Sequence, residues 1–101
     1  MSAKIPVDRQ KIAKFCRRHG VRKLALFGSV LREDFRPESD VDVLVEFELG
    51  QTPGFIRLFD MEEELATLLG GHKPDVVTEK FLNRRIRNKV LSEAQVQYVR
   101  T

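Results

Sequence analysis

The run Leu24-Ala25-Leu26-Phe27 is apolar throughout and is cut off by Gly28-Ser29, and this junction constrains the fold more than any other part of the chain. A short apolar run ended by a glycine reads as a buried strand closing in a tight turn. Such a strand needs partners beside it and cover above it, and the rest of the chain offers both. Asp40-Val41-Asp42-Val43-Leu44-Val45-Glu46-Phe47 is β-branched and partly alternating, a second strand. Pro74-Asp75-Val76-Val77-Thr78 is a compact third candidate that could run alongside the second, and Tyr98-Val99 a final strand or tail.

Helical periodicity fills the intervals. Asp8 is placed to cap a helix with apolar positions Ile12, Phe15, Cys16 and His19 and a stop at Gly20. Ser29 to Asp34 reads as a short helix, and Arg36-Pro37-Glu38-Ser39 as a loop. After the break at Gly50-Gln51-Thr52-Pro53-Gly54, a helix shows one side made of Phe55, Leu58, Phe59, Glu62, Leu65, Ala66 and Leu69, with Asp60, Glu63 and Glu64 opposite. This stripe reads as core. Phe81, Leu82, Ile86, Val90 and Leu91 mark a last helix. Strands interspersed with helices, no internal repeat and 101 residues predict one small domain spanning 1–101, an α/β or α+β layer with a single sheet.

An apolar fraction of 42% and a charged fraction of 33% suit a folded soluble protein. No apolar run approaches the ~20 residues that cross a bilayer, and the N-terminus lacks the apolar core of a signal peptide, so the expected location is cytoplasmic, away from membranes. Cys16 is the sole cysteine and reads as core packing. The net charge of +3 conceals a basic segment over 1–36, an acidic one over 37–78 and a basic one over 79–101. An acidic centre attracts divalent cations and leaves basic flanks for phosphate.

Asp40 and Asp42 lie two apart in a strand, so both side chains leave one face, about 6.5–7 Å apart at the backbone. Such a pair repels itself unless a cation intervenes, and hard ions such as Mg²⁺ favour oxygen donors. Gly28-Ser29 permits backbone N–H groups and the Ser29 hydroxyl to approach a phosphate closely. If the Asp75 strand lies beside the Asp40 strand, three carboxylates converge.

The string Leu26-Phe27-Gly28-Ser29, ten further residues, then Asp40-x-Asp42 resembles the signature of the DNA polymerase beta nucleotidyltransferase superfamily. With Val30-Leu31-Arg32, Arg36-Pro37-x-Ser39, Val43-Leu44-Val45 and Pro74-Asp75-Val76-Val77-Thr78, it is similar to the minimal nucleotidyltransferase branch, over nearly the whole chain from Leu24. Glu33 departs from the pattern, standing where that branch often carries Gly. The resemblance implies the nucleotidyltransferase fold, one small mixed sheet flanked by helices. It also implies two Mg²⁺ ions held by Asp40, Asp42 and Asp75, with Asp75 helping to deprotonate the attacking hydroxyl and Gly28 and Ser29 holding the outgoing pyrophosphate. The implied activity is transfer of AMP from ATP to a hydroxyl, a tyrosine by analogy, of a HEPN-domain ribonuclease toxin, so that the chain acts as an antitoxin in a homo- or hetero-oligomer.

Each part has a plainer reading: Gly28-Ser29 as an ordinary turn, Asp40-x-Asp42 as a solvated strand entrance, Asp75 as a turn acid after Pro74. Their joint spacing argues against all three being incidental. The basic cluster Lys80, Arg84, Arg85, Arg87 and Lys89 reads first as a solvated helix face. Arg32 and Arg36 flank the site loop and suit either phosphate contact or loop-bracing ion pairs, and His19 and His72 suit hydrogen bonding at a helix end and a turn. Three other functions compete. The chain could neutralise a toxin by binding alone, which a degenerate carboxylate set would have favoured. Direct nucleic-acid binding through the basic flanks has no reading motif behind it and is not expected. Small-molecule transfer needs an enclosing second domain or a dimer partner.

Overall fold

The computed structural model describes residues 5, 7–32, 35, 36, 38–78, 82 and 84–100, the last segment by backbone alone at 84–86. The chain runs α1 (Arg9–His19), β1 (Val21–Phe27), a 3₁₀ turn (Gly28–Leu31), β2 (Val41–Phe47), α2 (Phe55–Leu68), β3 (Pro74–Val77), α3 (Arg84–Glu93) and β4 (Gln95–Val99). The Asp8 carboxylate accepts from the backbone N–H groups of Gln10 and Lys11, and Gly20 closes α1 in the left-handed conformation at φ 69°.

The strands form one mixed sheet in the order β3-β2-β1-β4, in which β1 is antiparallel to both β2 and β4 while β2 and β3 are parallel. The apolar run that opens the argument is therefore a central strand. Alternation divides its side chains: Leu24 and Leu26 join Val41, Val43 and Val45 under α1 and α2, whereas Ala25 and Leu44 face the other side with Leu82, Val77 and the α3 residues Val90 and Leu91. The first face holds the main core, with Ile12, Phe15, Cys16, Met61, Leu65 and Leu69. Cys16 is fully buried, and that burial pushes its thiol pKa to about 12, as expected of packing rather than chemistry.

Three expectations need correction. The helix read over Ser29 to Asp34 is a single 3₁₀ turn, because Arg32 is already extended at φ −104°, ψ 156°; Glu33 and Asp34 lie outside the described residues. The α2 stripe is rotated. Met61, Leu65 and Leu69 are buried, while Phe55, Ile56 and Phe59 are 92%, 84% and 60% exposed. The first turn of α2 borders an open hollow lined by its own loop and by Phe47, Val76 and Thr78. Glu64, read as solvent-facing, instead meets α1, bound by the Arg18 guanidinium and lying 3.1 Å from the His19 ring nitrogen Nε2. Phe81 and Lys80 fall outside the described residues. Among the described residues no helix is long and apolar enough to cross a membrane.

Candidate active site

Three segments meet at one end of the sheet. β1 finishes at Phe27, which pairs with Asp42 across the antiparallel ladder, and β2 begins where Val41 N–H donates to the Lys73 carbonyl at 2.9 Å. That bond sets the parallel register with β3 and places Asp42 directly opposite Asp75. Residues paired across neighbouring strands project to the same face, so the two carboxylates share the α3 side of the sheet. Asp40 stands at the strand entrance, exposed, with its carbonyl accepting from the Ser29 hydroxyl at 3.5 Å.

Gly28 shows why the turn follows β1 at this point. Its φ of +76° is one that side chains resist, and a Cβ there would lie 2.2 Å from Asp42 Oδ2. The turn backbone is thus laid against the Asp42 carboxylate. Asp42 is half-buried, and burial raises its pKa above the ordinary aspartate value; the charges of Asp75 and then Asp40 raise it further, and Arg32 opposes them. Asp42 is therefore within electrostatic reach of both other predicted acids. Among the described residues, no three acidic, histidine or cysteine side chains are gathered closely enough to hold a metal ion by themselves.

The donor set fits a hard divalent cation: every candidate ligand is a carboxylate oxygen, and the charges repel one another in a partly desolvated place. The phosphate-binding expectation has its geometry in Gly28 and Ser29, which open the turn beside Asp42. The backbone N–H of Arg36 donates to the Ser39 hydroxyl at 3.4 Å, which braces the loop through its main chain. The His72 ring packs at a tilt against Phe35, 5.1 Å between centroids, and its buried Nδ1 has no hydrogen-bond partner, so the expected turn hydrogen bond is not made through that nitrogen. Sequence reasoning left Arg32 out of the site, although it follows the Gly28 turn directly. Lys89, read as part of a solvated face, is exposed, and the fold also sets it in a cleft with Gly28 and Arg32.

Comparison with known proteins identifies the family and the fold. The family model for the nucleotidyltransferase domain matches residues 9–97. The chain is 40% identical over 76 residues to the protein adenylyltransferase MntA of Thermococcus cleftensis, an alignment covering 75% of this chain and 74% of that protein. A solved structure assigned as a minimal nucleotidyltransferase superposes with a TM-score of 0.68 at 40% identity, covering 85% of each chain. At 21% identity and a TM-score of 0.61, the fold also matches an MNT antitoxin in complex with the tri-AMPylated Shewanella oneidensis HEPN toxin, over 91% of this chain and 70% of that one. The chain belongs to the nucleotidyltransferase domain family, and within it to the minimal nucleotidyltransferases.

Proposed function

We propose that this transferase is a protein adenylyltransferase and antitoxin, moving AMP from ATP to a hydroxyl, a tyrosine by analogy, on a HEPN-domain toxin in the cytoplasm. The observation that carries it is the register of Asp42 opposite Asp75 with the Gly28 backbone held against the Asp42 carboxylate. The activity comes from the adenylyltransferase relative, and the partner from the toxin complex that shares the fold.

In this reading Asp40, Asp42 and Asp75 would hold Mg²⁺, which supplies charge neutralisation at the phosphates and lowers the pKa of the attacking hydroxyl. Gly28 and Ser29 offer N–H and O–H donors to the β- and γ-phosphates and keep the α-phosphorus facing the carboxylates. Asp75, exposed at the edge strand, is open to an incoming protein and accepts the proton of the acceptor hydroxyl. The acceptor oxygen bonds to the α-phosphorus, the bond from that phosphorus to the bridging oxygen breaks, and pyrophosphate leaves with the electron pair.

Intact mass of a HEPN protein encoded beside this chain, after incubation with the chain, ATP and Mg²⁺, tests the proposal. Gain of whole AMP units, absent with Asp42→Asn, is the expected result. An unchanged mass, with a tight complex that still blocks the ribonuclease, would replace transfer by neutralisation through binding alone.

A further inference from the structure

We infer that the cleft between the Gly28 turn and the last turns of α3 seats the nucleotide, with Lys89 on the polyphosphate and Ser92 and Glu93 on the nucleoside. The inference rests on the transferase reading and adds to it the residues that select the donor. The cleft holds about 470 Å³ and is lined by Gly28, Leu31, Arg32, Lys89, Ser92 and Glu93, a size usual for small-molecule sites.

Its position is fixed by the sheet. Asp42 alternates with Val41 and Val43, which face α1 and α2, so it projects to the side where Val90 and Leu91 of α3 pack. A ligand that touches both the Gly28 turn and Asp42 therefore has α3 as its neighbouring wall. The cleft lining carries both cations and acceptors. Arg32 and Lys89 supply two cations, suited to phosphate oxygens. Ser92 donates its hydroxyl proton to the Lys89 carbonyl at 2.9 Å, which leaves its oxygen as an acceptor, and Glu93 adds a carboxylate. Both stand at the C-terminal end of α3, where helix carbonyls add negative potential. That end disfavours phosphate and favours O–H and N–H donors such as ribose hydroxyls and a base amine. Leu31 adds apolar surface to the lining. Cations, an apolar side chain and acceptors in one cleft beside Gly28 suit a nucleoside triphosphate whose phosphates lie at the turn.

Calorimetric titration of the full chain with Mg²⁺ and a non-hydrolysable ATP analogue, and separately with AMP, tests this. Lys89→Glu should weaken the analogue roughly tenfold or more and AMP far less, whereas Glu93→Ala should weaken both by a similar factor. Arg87→Ala, on an exposed α3 position outside the cleft, should change neither. Circular dichroism of each variant checks that the fold is kept. Analogue affinity indifferent to Lys89→Glu overturns the assignment while leaving the transferase reading intact. If that variant instead slows transfer to the protein acceptor at saturating ATP, the cleft serves the acceptor and the inference is equally overturned. No analogue binding by the unaltered chain would remove both readings together.

Discussion

At position 28 two independent constraints require the same residue: a φ of +76° and a neighbouring Asp42 oxygen that a Cβ would approach to 2.2 Å. Gly28→Ala should cost about 1 kcal/mol in backbone strain and, by pushing the carboxylate aside, lower the transfer rate roughly 100-fold with the fold intact. Single-turnover rates beside a thermal melt check it; full activity would mean the carboxylate position is immaterial. Asp42 makes a second prediction through its charge. An acid whose folded pKa is raised binds its proton more tightly when folded, so it supports the fold below the unfolded value of 3.8 and loses that contribution as pH rises through the folded value. At neutral pH without divalent ions, Asp42→Asn should therefore melt no lower than the parent, and the gap should close in acid. A clear drop in melting temperature at neutral pH would mean the carboxylate has a structural partner that the pKa shift does not register.

Elements differ in how far their sequence reveals them. The Leu24 to Phe27 run, the Gly28 stop and the Asp40-x-Asp42 pattern are local signals, and the structure has β1, a turn and β2 there, with β1 reaching back to Val21. The parallel meeting of Asp42 and Asp75 was legible only as a conditional, since strand order depends on contacts far apart in sequence. In α2, periodicity allowed two overlapping stripes, and the apolar character of Phe55 and Phe59 pointed to the wrong one. The stripe that meets the core is Met61, Leu65 and Leu69 instead, one that tertiary packing and not periodicity selects. The α3 wall was hidden for a similar reason: Lys89 among other basic residues looks solvated until the fold sets it beside Gly28. Leu65→Ala should thus cost ~2–5 kcal/mol, while Phe59→Ser should stay within about 0.5 kcal/mol of the parent. Urea midpoints of the two variants decide it, and equal losses would restore Phe59 to the core.

Across the whole molecule, elements distant in sequence are adjacent in the sheet. β4 pairs with β1, Arg100 N–H donates to the Arg22 carbonyl at 2.8 Å, and Tyr98 packs against the core that α1 and α2 share. Neither the α1-β1-β2 portion nor the α3-β4 portion keeps a covered sheet without the other, because β1 lies between β2 and β4. We therefore propose that residues 1–101 form one cooperative domain. The chain has one tyrosine and no tryptophan, so Tyr98 fluorescence reports on β4, while far-ultraviolet circular dichroism reports on every helix and strand. Urea unfolding followed by the two signals should give coincident curves with a slope of ~1–3 kcal/mol/M. If the Tyr98 signal changed first, α3 and β4 would be detaching from a core that survives alone. The wall proposed for the nucleotide would then open without unfolding the carboxylate site, and nucleotide present in excess should draw the two curves back together by binding only the closed form.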